Sequence, residues 1–177
     1  MEYKRYYIAY GSNINLDQMA YRCPHAKVIG SQMLAGNELE FRGVATIVPK
    51  EDAQVPVLIW EIDQYDECSL DRYEGFPNCY RKEVFPIEVG GKTVEAMAYI
   101  MNHGQIEPPS QPYLRGILAG YEANGMDTTY LADAYKRSLS AQTHSRKVIF
   151  DDDEEFDINE DDLEEIDDLD DLNMELG

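Results

Sequence analysis

Nowhere do 18 apolar residues follow one another in this 177-residue chain, and its opening MEYKRYYIAYGSN has no apolar run of signal-peptide length. The expectation is a cytoplasmic protein without a membrane-spanning segment. Cysteine is scarce. Cys23, Cys68 and Cys79 are odd in number and form no C-x-x-C pair, which argues against a disulfide framework and a zinc ribbon and for reduced thiols. Basic residues are few, 15 Lys and Arg against 35 Asp and Glu, and 16 of the acidic ones fall in residues 151–177, where no Lys or Arg occurs. The rest of the chain is nearly balanced and shows no basic patch to neutralise phosphates, so its body is not expected to bind nucleic acid. His25, His103 and His144 show no metal-ligand spacing with Cys or acidic residues and no telling partner for a Ser12 or thiol nucleophile. No metal ion and no cofactor are expected.

The length suits one domain over residues 1–150 with an acidic low-complexity tail over 151–177. Tyr6 to Tyr10 read as a buried strand that runs into Gly-Ser-Asn. Asn15 can cap a helix with Gln18 three residues on, and Pro24 stops it. Between Lys27 and Val48 apolar and charged residues alternate loosely, as in a half-exposed antiparallel strand, and PVLIWEID from Pro56 reads as a second apolar strand. DECSLDRYEG suggests a short helix stopped by Gly75. YRKEVFPIEV and TVEAMAYIM form a hairpin at Gly90-Gly91, with Pro86 favouring an edge or a bulge. Two late helices follow, one capped by Ser110 and ended at Asn124-Gly125, the other capped by Asp127. Six or so strands with short helices make an α+β domain, a small mixed or antiparallel β-barrel with flanking helices. In the tail, Leu and Ile recur among carboxylates; it reads either as a solvated or weakly helical segment, or as one that docks on its own body or on a basic protein partner.

Two places can carry chemistry. Tyr10-Gly11-Ser12-Asn13 sits between strand and helix, where successive backbone N–H groups favour an anion or a developing oxyanion, although a plain capping turn has the same form. Glu74 lies among aromatic residues, and a carboxylate at the mouth of an apolar pocket has its pKa raised toward neutrality; an exposed glutamate at a helix end is the alternative.

The order YIAYGSN, FRGVATIVP, VLIWEID, LDRYEGF, EAMAYIM, PSQPYLRGILAG resembles the γ-glutamylcyclotransferase-like family, which includes AIG2-like and butirosin-type cyclotransferases, over roughly residues 6–137. The resemblance implies a small β-barrel whose cavity takes a γ-glutamyl substrate, with Tyr10, Gly11, Ser12 and Asn13 holding it, Glu74 as the acid/base and Tyr113 lining the pocket. It implies release of 5-oxoproline and an amine by attack of the substrate's own α-amine. Ile14 stands where the family often has Leu, and Tyr73 and Phe76 around Glu74 narrow or redirect the leaving-group side. A binding or regulatory module whose acidic tail engages a basic partner is the alternative function.

Overall fold

The computed structural model describes residues 3–149, with side chains to residue 144; the expectations for the acidic segment 151–177 lie outside the described residues. Five strands, β1 (Arg5–Ala9), β2 (Lys27–Arg42), β3 (Val44–Ile62), β4 (Tyr80–Val89) and β5 (Lys92–Met101), form one mixed sheet in the order β2-β3-β1-β5-β4. Four helices, α1 (Leu16–Arg22), α2 (Gln64–Glu74), α3 (Gln111–Ala123) and α4 (Thr129–Ile149), complete the α+β domain among the described residues. No helix of the described residues is long and apolar enough to cross a membrane.

The central position of β1 follows from its composition. Tyr7, Ile8 and Ala9 are all buried, as in a strand covered on both faces, and its two edges are paired, with an antiparallel β3 on one side and a parallel β5 on the other. Val55 and the run Val57 to Trp60 of β3 are likewise buried continuously. Pro86 lies in β4, an edge strand, where its missing N–H breaks no ladder. Gly90 and Gly91 turn the β4–β5 hairpin with φ of +59° and +74°, the left-handed pair that a two-residue hairpin loop requires.

Two expectations are corrected. The stretch from Lys27 to Val48 is not one strand: the chain reverses at Gly43, whose N–H donates to the Glu107 carbonyl at 2.9 Å, and Val44 already begins β3. Because β3 then continues unbroken to Ile62, five strands replace six or so. The barrel does not close. Among the described residues no ladder joins β2 to β4; instead the Gln32 amide spans the seam, its Nε2 donating to the Glu88 carbonyl at 3.0 Å and its Oε1 accepting from the Glu88 N–H at 3.2 Å. A side chain in that position satisfies the edge and keeps the two backbones a side chain's length apart.

The caps follow the sequence in most places. Asn15 accepts from the Gln18 N–H at 3.0 Å and starts α1. Asp63 and Asp66 form a capping box at the start of α2, and Gly75, at φ +65°, ends it directly after Glu74. Asp127 accepts from the Thr129 N–H at 2.9 Å at the start of α4. Ser110 precedes α3, but its side chain makes no capping bond. Cys23 is buried, Cys68 and Cys79 are exposed, and all three are free thiols.

Candidate active site

The C-terminal end of β1 opens into a single turn of 3-10 helix, Ser12–Ile14, seated over a cavity of about 230 Å³. Gly11 is required there by space. A Cβ on it would meet the Ala45 Cβ at 2.9 Å and the Tyr113 hydroxyl at 3.4 Å. The turn is also backed from below, because a Cβ on Gly120 of α3 would lie 2.8 Å from both the Asn15 nitrogen and the Ile14 carbonyl carbon. Side-chain amides hold it from α3 as well: Asn124 Nδ2 donates to the Ile14 carbonyl at 3.2 Å, and Asn15 Nδ2 to the Gly116 carbonyl at 2.9 Å. The N–H groups at the start of such a turn have no carbonyl one turn earlier to meet, which leaves them suited to an anionic oxygen.

Tyr10, Gly11, Ser12, Asn13, Glu74 and Tyr113 all line this one cavity. Asn13 is its hub. Its Nδ2 donates to the Tyr7 hydroxyl at 2.9 Å and to Glu74 Oε1 at 3.0 Å, while its own carbonyl accepts from Trp60 Nε1 at 3.1 Å. Ser12 Oγ lies 3.1 Å from the Tyr73 hydroxyl. Tyr113 donates nothing to Ala45 but accepts its N–H at 3.0 Å, and the Tyr80 hydroxyl donates to the Ala45 carbonyl at 3.0 Å, so the start of β3 is clamped from α3 and from β4. The Tyr10 hydroxyl donates to the Tyr99 carbonyl.

Glu74 reaches the cavity because α2 ends on it and the helix is anchored along its length. Glu67 is a buried acceptor for Tyr3, for Arg5 at 2.8 Å and for Lys82 at 2.7 Å; Asp71 pairs with Lys82 at 2.7 Å and accepts from the Tyr99 hydroxyl at 2.5 Å. Burial pushes the Glu74 carboxyl up to about 7, and the Arg22 charge and the Asn13 amide keep it from rising further. The phenols around it are driven the other way from reactivity: burial raises Tyr7, Tyr10 and Tyr80 far above their ordinary value and Tyr113 to about 12. Cys23 is likewise pushed up to about 12 by burial, which leaves its thiol protonated and inert at neutral pH.

Several residues of this arrangement were not singled out from the sequence. Tyr7, Tyr80 and Tyr99 line the cavity and Arg22 stands behind Asn13. The signal was compositional: 13 tyrosines against 5 phenylalanines is an excess of hydroxyls that buried rings must satisfy. Of the two aromatic residues flanking Glu74, Tyr73 lines the cavity, whereas Phe76 lies under the Lys82 ammonium, 4.6 Å from its ring centre. His25 pairs with Asp63 at 2.7 Å at the exposed start of α2, a contact across 38 positions that no local spacing announces.

The family described as "Gamma-glutamyl cyclotransferase, AIG2-like" matches residues 7–119. Gamma-glutamylcyclotransferase of Bos taurus is 28% identical over 141 residues, covering 70% of this chain and 73% of its own, and that of Homo sapiens is 27% identical over 139 residues with the same coverage. A solved gamma-glutamyl cyclotransferase superposes with a TM-score of 0.66 at 22% identity, covering 94% of this chain and 97% of its own. An uncharacterized human protein superposes with a TM-score of 0.67 at 23% identity, covering 95% and 98%.

Proposed function

The chain belongs to the AIG2-like gamma-glutamyl cyclotransferase family, and from that premise we propose that it is an enzyme that converts a γ-glutamyl substrate into 5-oxoproline and a free amine, with Glu74 carrying the proton. The observation that supports this most directly is the Glu74 carboxyl, pushed up to about 7 and facing the cavity beside the Ser12–Ile14 turn.

The substrate's α-ammonium has a pKa near about 8, so a base working close to neutrality can remove its proton. The freed amine nitrogen bonds to the γ-carbonyl carbon and closes a five-membered ring. As the tetrahedral centre collapses, the bond from that carbon to the outgoing nitrogen breaks, and Glu74 returns the proton to the departing amine. Nucleophile and electrophile belong to one molecule, so the site has chiefly to hold the substrate folded; well-oriented reactions of this kind reach effective molarities of about 10⁵ M or more. The N–H groups of the turn from Gly11 to Asn13 can take the α-carboxylate or the oxyanion, Tyr10 and Tyr113 wall the cavity, and no cofactor enters the reaction. Tyr73 and Ser12 border the leaving-group side.

Free thiols at Cys23, Cys68 and Cys79 support a cytoplasmic location. A basic protein partner, or the body itself, for residues 151–177 is a separate proposal on their charge alone. The enzymatic reading is tested by incubating the protein with a panel of γ-glutamyl amines and peptides and measuring 5-oxoproline. Release is expected, with Glu74→Gln reducing it by about 10²-fold or more. Silence across the panel would overturn the reaction, and full activity of Glu74→Gln would overturn the role of Glu74.

A further inference from the structure

We propose that Arg22 is a positioning residue for this reaction: from outside the cavity its guanidinium fixes which way the Asn13 amide faces, and so holds the NH2 of that amide on the Glu74 carboxylate. The proposal rests on Glu74 as the proton carrier.

An asparagine amide offers an acceptor at one end and a donor at the other, in nearly the same shape either way round. Here the choice is forced. Arg22 Nη1 approaches Asn13 Oδ1 at 2.8 Å, and a guanidinium has only donors, so only the oxygen can face it. The NH2 must then point the other way, where the Tyr7 hydroxyl stands at 2.9 Å and Glu74 Oε1 at 3.0 Å. Reversal would set donors against donors at Arg22 and an oxygen against the Glu74 carboxylate.

Arg22 is itself held on several sides. Its Nη2 donates to Gln18 Oε1 at 2.9 Å, its guanidinium carbon lies 3.7 Å from the centre of the Tyr73 ring, and its carbonyl accepts from Ser69 Oγ at 2.7 Å. The last turn of α1 is thereby tied to α2, the helix that ends on Glu74. Arg22 is absent from the cavity lining, so its effect on substrate passes through Asn13 and through its charge. The other titratable groups that line the cavity with Glu74 are the phenols of Tyr7 on β1, Tyr10 just after it, Tyr73 on α2, Tyr80 on β4, Tyr99 on β5 and Tyr113 on α3; burial raises those of Tyr7, Tyr10, Tyr80, Tyr99 and Tyr113 above their ordinary value. A titration of Glu74 therefore reads the Arg22 charge with little interference.

Two variants bracket the role. Lysine at position 22 keeps the charge and a donors-only head that can still face Asn13 Oδ1, losing the fork and the stacking on Tyr73; methionine loses donor, charge and stacking together. The test uses the full-length chain, a γ-glutamyl substrate that the wild type turns over, and carboxyl-labelled glutamate followed by NMR to titrate Glu74 directly. Arg22→Met is expected to raise the Glu74 midpoint and to lower kcat by about 10 to 10²-fold with KM little changed. Arg22→Lys, which keeps both the charge and a donors-only head, should leave the midpoint near the wild-type value and keep kcat within about threefold of wild type. A kcat for Arg22→Met within about twofold of wild type, or a kcat for Arg22→Lys as low as that of Arg22→Met, would overturn the orienting role, and an unmoved midpoint in Arg22→Met would overturn the electrostatic one. If Arg22→Met does not fold, as judged by its thermal transition, Arg22→Gln, which also loses the charge, takes its place in the titration. If the wild type turns over nothing, the cyclotransferase reading fails by itself, and the titration still decides whether Arg22 governs Glu74.

Discussion

Burial moves the Glu74 carboxyl from an ordinary 4.5 up to about 7, and the sign of its effect on stability follows from which state holds the proton. Between those values the folded chain keeps a proton that the unfolded chain releases. Stability therefore falls as pH rises through that window, is level above it, and is unaffected below it; the full difference is about 3 kcal/mol. Glu74→Gln should accordingly be less active by about 10²-fold or more yet more stable than wild type at pH 8, by up to about 3 kcal/mol, with the gain vanishing below pH 4.5; denaturant titrations at the two pH values check it. The same carboxyl shapes the rate. Because the proposed encounter needs Glu74 ionised and the substrate amine still protonated, kcat/KM should follow a narrow bell. Its acidic limb should lie near about 7 and its alkaline limb near about 8. An acidic limb near 4.5, the ordinary carboxylate value, would overturn a raised Glu74 carboxyl as the titrating base.

The glycines of α3 show how an element seats the site. Gly120 meets the turn's backbone at 2.8 Å, and backbone cannot step aside as a flexible side chain can. Gly120→Ala should destabilise by about 1–3 kcal/mol and raise KM by displacing the turn toward the cavity. Gly116 offers an internal control, because a Cβ there would meet only the far end of the Gln18 side chain, at 3.0 Å. Gly116→Ala should stay within about 1 kcal/mol of wild type, since alanine's better helix propensity offsets the contact. Thermal melts and steady-state kinetics on the pair distinguish the two positions. At this scale the elements themselves were legible, since caps and stops act within a few residues: Asn15 with Gln18, Gly75 after Glu74, and the Gly90-Gly91 hairpin. The exception is instructive. Gly43 read as one more position in an alternating strand, but its φ of +76° turns the chain back on itself so that Val44 pairs with Arg42 and Ala45 with Phe41.

For the whole molecule, the residues to which the reaction is assigned lie between Tyr10 and Tyr113, whereas 16 of the 35 acidic residues lie in 151–177. Deleting 151–177 should leave kcat/KM within about twofold of full length at moderate salt, where long-range charge effects are weakened, because every residue assigned to the reaction lies in the body; loss of a co-purifying basic protein in the same experiment would support the partner proposal. What the sequence determined by itself was local: a buried first strand ending in YGSN, a helix stopped just after Glu74, an edge strand marked by Pro86, and a family resemblance carried by short motifs in a fixed order. Those features depend on backbone preferences and hydrophobic period over a few residues, so any reader of the chain can recover them. Tertiary structure alone decided that β1 lies at the centre of an open sheet with β5 parallel beside it, and that Gln32 bridges the seam. It alone placed Asn13 3.0 Å from Glu74 across 61 positions, with Arg22 behind them. The physical reason is that a carboxylate becomes a base near neutrality only through burial and a chosen set of neighbours, and those arise from packing segments that carry no local record of one another.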